Sequence, residues 1–146
     1  MNDVQATESP ASLSGSVMLA LLEAAHALEA RLEAALVGVG LSSAKYTVLA
    51  KLAQAGEPLA LSELAAQVCC VRSNMTQLID RLEAEGLVRR VDDAEDRRMV
   101  RAALTKLGEE REAAGAEQMK RIQSQVATLL TKGDRAVLER ALAALK

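Results

Sequence analysis

Apolar residues recur at helical spacing along most of the chain. From Leu21 to Leu36 they follow steps of three and four, which predicts one long amphipathic helix over residues 14–37. A pair of glycines ends this segment, and Ser42 is placed to cap a second helix over about 43–55.

A short helix and a longer amphipathic helix are predicted next. Ser62 is a candidate cap for SELAAQV, and the chain then turns through CCV into RSNMTQLIDRLEAEG. The apolar stripe of this last segment has the spacing i, i+3, i+4 and i+7, so its other face is polar. The stripe consists of Met75, Leu78, Ile79 and Leu82.

After Gly86 the period changes from helical to alternating. LVRRV and MVRAALT, joined by a charged turn, predict a β-hairpin. Thr105 is a candidate cap for a long helix to about residue 130, and Asp134 is one for a final helix. The order of elements predicts a mainly α fold with a small β-hairpin wing, that is, a winged helix-turn-helix with further helices.

Composition supports this helical reading. Half of the 146 residues are apolar but only 1% are aromatic, so Leu and Ala, which favour helices, must fill the interior. The net charge is −2, yet no acid follows Asp96 in the hairpin segment that holds Arg97, Arg98 and Arg101. Such a stretch is either a solvated hairpin tip or a finger for a negatively charged partner.

Residues suited to catalysis or to metal binding are sparse. The single histidine, His26, lies among Ala and Leu, and no glycine-rich phosphate loop or nucleophile with a neighbouring base is present. Adjacent Cys69 and Cys70 with one histidine do not make a usual zinc ligand set. We therefore expect no enzyme activity, metal or cofactor.

The first residues do not resemble a signal peptide, and no apolar run is long enough to span a bilayer. Adjacent cysteines rarely satisfy disulfide geometry, which fits a reducing compartment. A cytoplasmic protein without membrane contact is expected.

The segment LSELAAQVCCVRSNMTQLIDRLEAEGLVRRV and the hairpin DRRMVRAALT resemble the MarR family of bacterial transcription regulators. The strongest likeness is the hairpin signature with Asp96, Arg98, Leu104 and Thr105 in register. The resemblance implies a homodimer whose first and last helices interlock, with both recognition helices in major grooves of pseudo-palindromic double-stranded operator DNA.

The predicted organisation has four parts. They are a flexible N-terminus (1–13), a dimerisation helix (14–37), a winged helix-turn-helix DNA-binding domain (41–105) and C-terminal helices that complete the dimerisation region (106–146).

Candidate DNA-binding residues lie on the recognition helix and in the wing. By the resemblance, Arg98 enters the minor groove, Asp96 braces it and Arg97 contacts a phosphate, whereas Arg101 lies along the strand. On the helix, hydroxyl and amide groups face base edges while arginines reach phosphates or bases. The helix candidates are Arg72, Ser73, Asn74, Thr76, Gln77 and Arg81. A solvated face, with an internal salt bridge for Asp80 or Arg81, is the alternative.

Two signals are candidates for control of DNA binding. The resemblance implies a small, often phenolic or anionic effector, and His26 and Tyr46 are candidates to line its pocket or are ordinary core residues. Cys69 and Cys70 are either packed turn residues or a thiol switch. The expected function is a repressor released by such a signal; the alternative is a winged helix used only for protein contacts.

Overall fold

The computed structural model describes residues 10–68 and 72–146, and the side chains of 15–68 and 74–146. The helices are α1 (Pro10–Val37), α2 (Ser43–Ala55), α3 (Leu61–Gln67), α4 (Arg72–Ala84), α5 (Lys106–Leu129) and α6 (Lys132–Ala143), and the strands are β1 (Leu59–Ala60), β2 (Val88–Asp92) and β3 (Val100–Leu104). The predicted mainly α fold with a β-hairpin wing is confirmed.

The chain divides between Arg31 and Leu32 into two compact units. In the first unit, the described residues belong to α1, which begins at Pro10. Residues 10–13, which fall within the predicted N-terminal segment 1–13, are helical.

The second unit holds the apolar core. Fully buried side chains from α2, α3 and α4 pack together with the start of the hairpin, because each helix turns one apolar stripe inward. On α4, three of the four predicted stripe residues are completely buried and Leu78 is partly buried. The largest fully buried side chains are Leu36, Val48, Leu49, Leu64, Met75, Ile79, Leu82, Leu87 and Val88.

The sheet has three antiparallel strands in the order β1-β3-β2. The hairpin of β2 and β3 was predicted, but the two-residue strand β1 was not; Leu59 pairs with Ala102 and Ala60 with Arg101. A strand of this length carries no periodicity of its own, and it forms because the edge of β3 offers it partners.

Two predicted helix caps differ in the structure. Ala60, not Ser62, is the N-cap of α3, and its N–H donates to the Glu63 carboxylate at 2.9 Å. Thr131, not Asp134, is the N-cap of α6, and the Asp134 carboxylate accepts from the Thr131 backbone N–H at 3.1 Å. In both cases the predicted cap lies in the first turn of its helix.

Thr105 connects the end of α4 to the start of α5. Gly86 ends α4 with a positive φ of 73°, which glycine adopts without steric cost. The Thr105 hydroxyl donates to the Gly86 carbonyl at 2.6 Å and accepts from the Gly108 N–H at 3.0 Å. The predicted Thr105 cap is confirmed, and it also fixes where the hairpin leaves the helix.

Candidate nucleic-acid interface

The outward face of α4 is polar and exposed, as expected of a recognition helix. Asn74, Thr76, Gln77 and Arg81 are all exposed, while the opposite stripe is buried in the core. Arg72 and Ser73 occupy the first turn of α4, and their side chains lie outside the described ones. The structure therefore brings four of the six helix candidates onto one accessible surface.

Asp80 lies among these polar residues, and its charge is compensated. Arg90 on β2 pairs with Asp80 through one guanidinium nitrogen and with Glu83 through another. The pairing with Asp80 raises the pKa of Arg90 above its ordinary value. The sequence allows an internal salt bridge for Asp80 or for Arg81. It exists for Asp80, whereas Arg81 forms no ion pair within the described part of the chain.

The wing tip is organised by short-range hydrogen bonds to the side chain and the backbone carbonyl of Asp96. Asp96 Oδ1 accepts from the backbone N–H of Arg98 at 2.9 Å, so Asp96 holds the backbone that carries this arginine. Met99 N donates to the Asp96 carbonyl at 3.0 Å. The side chains of Arg97 and Arg98 are exposed and form no ion pair with any described residue. Two guanidinium groups are thus presented at the tip.

Recognition helix and wing meet in one shallow depression of about 340 Å³. Thr76 from α4 and Arg98 from the wing both line it, together with Ser62 from α3. Hydrogen-bonding groups suited to base edges and a guanidinium suited to a narrow groove therefore share one face.

Cys69 and Cys70 lie outside the described residues. His26 is exposed on α1, where its Nδ1 lies 2.8 Å from the Leu22 carbonyl oxygen. Tyr46 is partly buried against the core, and burial, with the charge of Glu112, raises the pKa of its hydroxyl. Its ring lies against α5, where a Cβ added at Gly115 would come within 2.5 Å of it.

Another cavity, of about 430 Å³, lies between the end of α2, the sheet and the start of α5. Its walls combine aliphatic residues such as Leu52 and Leu104 with Arg89 and the carboxylates of Glu109 and Glu112. Sequence reasoning did not find this site, because its walls come from elements distant in the chain.

Known proteins match this architecture. The family model described as MarR family matches residues 41–100, which include α2 to β2 and the wing loop. The HTH-type transcriptional regulator FarR of Neisseria gonorrhoeae is 32% identical over 98 residues, which are 67% of this chain and 66% of FarR, just under two thirds of that relative. The chain belongs to the MarR family.

Solved structures agree with that membership. AbsC, a MarR family transcriptional regulator from Streptomyces coelicolor, is 28% identical with a TM-score of 0.83, and the match covers 95% of each chain. A MarR variant from E. coli, solved in complex with operator DNA, has the same fold at 19% identity, with a TM-score of 0.79 over 94% of this chain and 99% of that one. The family is a class of transcription regulators rather than of enzymes.

Proposed function

We propose that this MarR-family protein is a homodimeric, DNA-binding transcriptional repressor that a small molecule or an oxidant releases from its operator. The observation that carries the DNA-binding part is the single face shared by the exposed polar side of α4 and the exposed wing arginines. Its operator is a pseudo-palindrome, because a two-fold dimer presents two identical recognition helices.

On the recognition helix, Asn74, Thr76 and Gln77 read base edges in the major groove, and Arg81 contacts a phosphate or base. Arg72 and Ser73 join them by their position in the first turn of α4. Asp80 does not oppose this contact, because Arg90 compensates its charge.

In the wing, Arg98 enters the minor groove and Arg97 contacts a phosphate. A guanidinium is planar and weakly hydrated, so it suits a narrow groove where negative potential is concentrated. Asp96 serves this contact by holding the Arg98 backbone rather than its guanidinium.

Homodimer formation is supported by unburied apolar surface in both units. On α6 no residue is buried, and Val137 and Leu145 are 58% and 69% exposed. On α1, Val17, Met18 and Leu19 are each more than half exposed. Apolar patches of this kind on a small protein mark an interaction surface.

Release from DNA requires a signal that distinguishes two shapes of the dimer. A ligand shifts such an equilibrium only by its differential affinity for the two shapes. His26 and Tyr46 remain the proposed pocket residues for a small effector, and Cys69 and Cys70 remain the proposed thiol sensor.

The rival functions are an enzyme and a winged helix used only for protein contacts. We propose neither, because family membership favours DNA binding. A regulator that reads chromosomal DNA works in the bacterial cytoplasm. In the described residues, no helix is both long and apolar enough to cross a membrane.

The test is a fluorescence-anisotropy titration with DNA from upstream of the protein's own gene and with random DNA, over a range of salt concentrations. We expect tighter binding to the first DNA and a fall in log K with log salt. Arg98→Ala is expected to cost about 1–3 kcal/mol and to lower the salt slope by about one unit per wing. The matched control is Lys120→Ala, which removes an exposed cation of α5 that pairs with Glu117. Binding that is absent or equal for both DNAs refutes the proposal.

A further inference from the structure

Residues 97–101 hold three arginines. Among the described residues, only Arg101 of the three forms ion pairs. It lies on β3, opposite Val91 of β2 and Ala60 of β1. Its Nε donates to Asp93 Oδ2 at 2.7 Å, and its Nη1 donates to the Pro58 carbonyl at 3.4 Å. The same nitrogen is 3.7 Å from a carboxylate oxygen of Glu63.

These contacts join three separate parts of the second unit. Asp93 begins the wing loop, Pro58 precedes β1 and Glu63 lies in the first turn of α3. Arg101 thus connects the base of the wing to the segment that leads into the helix-turn-helix.

Asp93 transmits this connection to the wing loop. Its second oxygen, Oδ1, accepts from the backbone N–H groups of Glu95 at 2.8 Å and Asp96 at 3.2 Å. Its own N–H donates to the Met99 carbonyl at 3.2 Å, which closes the loop. The Asp93 side chain is only 13% exposed. The Asp93 carboxylate therefore accepts hydrogen bonds both from the Arg101 guanidinium and from the backbone of Glu95 and Asp96 in the wing loop.

We propose that Arg101 is a positioning residue, which holds the wing at the angle that lets Arg97 and Arg98 reach DNA, and that it does not itself contact DNA. This inference rests on the proposed DNA-binding function. We call the set Arg101, Asp93, Pro58 and Glu63 the wing clamp.

The charges around Arg101 argue against a phosphate contact. Asp93 and Glu63 lie within ion-pair distance of its guanidinium, and the charge of Glu57 also acts on it. The hydrogen bond with Asp93 raises the pKa of Arg101 above its ordinary value. A phosphate would have to displace the acids that already pair with Arg101, whereas none of the described acids forms an ion pair with Arg97 or Arg98.

The first experiment separates positioning from direct contact by salt dependence. Arg101→Ala is expected to weaken operator binding about tenfold, as when the competent wing orientation falls to about a tenth of the population. The salt slope should stay at the wild-type value, because no phosphate contact is lost. Arg98→Ala is the control for loss of a direct DNA contact, and its slope of log K against log salt should be lower. Lys120→Ala is the control for loss of an exposed positive charge and should leave operator binding unchanged.

Arg101→Lys provides a second distinction. Lysine keeps the positive charge, so it would largely restore a phosphate contact. A single ammonium cannot reproduce the fork that joins Asp93 to Pro58, so the clamp predicts affinity close to that of Arg101→Ala. Near-wild-type binding by Arg101→Lys overturns the proposal, and so does a lowered slope or an unchanged affinity in Arg101→Ala.

A double-mutant cycle tests whether Asp93 is the partner through which Arg101 acts. Asp93→Asn retains one acceptor oxygen for the loop amides and loses the charge that holds Arg101. We expect each single variant to weaken binding alike and the double variant to bind no worse than either one. Losses that simply add would show that the two residues act separately.

Amide hydrogen exchange of the wing supplies a measurement that needs no DNA. Loss of the clamp should speed exchange at the Asp93 and Arg98 amides about tenfold in Arg101→Ala, and leave the amides of the α4 core stripe protected. Unchanged wing exchange would overturn the clamp. If the wild-type wing exchanges slowly but the protein does not bind operator DNA, the proposed function is refuted. The wing clamp would still be supported in that case.

Discussion

Arg90 on β2 and Asp80 on α4 form an ion pair that connects the wing hairpin to the polar face of the recognition helix. Arg90 also pairs with Glu83 one turn later, and its backbone N–H lies 3.3 Å from a Glu83 carboxylate oxygen. The guanidinium therefore compensates two acids on the element that is proposed to enter the major groove.

Arg90→Ala should weaken operator binding about tenfold, or about 1.4 kcal/mol. The reason is that two uncompensated carboxylates would then face the phosphates. Adding Asp80→Asn to the same chain should recover part of the affinity, as measured by anisotropy titration. Lys120→Ala again controls for loss of an exposed cation. If Asp80→Asn brings no recovery, repulsion is not the cause.

Gly108 lies against the carbonyl of Leu87, where a Cβ would come within 1.9 Å of the Leu87 oxygen and 3.2 Å of a Leu104 methyl carbon. Because the first of these is a backbone atom, it cannot move aside cheaply. Gly108→Ala should therefore lower the free energy of unfolding by about 1–3 kcal/mol, measured by urea denaturation at fixed protein concentration.

Gly133 provides the matched control for this substitution. It lies in the first turn of α6, and among the described residues a Cβ there would meet Thr131 Oγ1 alone, at 3.8 Å, which is an ordinary contact. Since alanine is the better helix former, Gly133→Ala should be neutral or stabilising by up to about 1 kcal/mol. Equal effects of the two substitutions would show that helix propensity, rather than the close approach to Leu87, decides the outcome.

The apolar face of α6 should be needed for dimer formation. Leu138 and Leu142 are one turn apart and are 37% and 41% exposed in the single chain. Replacing both by glutamate should weaken the dimer at least about hundredfold, because each leucine loses apolar burial and each new charge is desolvated. Sedimentation equilibrium measures this directly, with Glu139→Gln on the same helix as the control. A dimer of unchanged strength would exclude this face from the interface.

Asp93 should remain ionised well below the pH at which an ordinary aspartate is protonated. The hydrogen bond from Arg101, followed by those from the Glu95 and Asp96 amides, lowers the pKa of Asp93 from 3.8 to about 2. Its contribution to stability is therefore fully present above about pH 3.8 and is lost as the pH falls through about 2.

Carbon-detected NMR titration of the folded protein measures this pKa. In Arg101→Ala the midpoint should rise toward 3.8 but stay below it, because the two backbone hydrogen bonds remain. If the midpoint is the same in the wild-type protein and in Arg101→Ala, Arg101 does not lower the pKa of Asp93.

Much of this fold could be predicted from local patterns. The stripe from Met75 to Leu82 has helical spacing, Ser42 and Thr105 have side chains that cap the helices after them, and Gly86 suits a positive φ. Each of these features depends on residues within a few positions of one another. The exposure of Arg97 and Arg98 at a hairpin tip follows in the same way.

Contacts between distant segments could not be predicted, because no local period encodes them. β1 forms only where β3 offers an edge, and Ala60 rather than Ser62 begins α3 since the chain leaves that strand at this point. Likewise, Arg101 was expected along the strand, but the sequence did not indicate which groups it contacts. Only tertiary packing places Asp93, Pro58 and Glu63 around Arg101, because partners 8 to 43 residues away must first be folded into place.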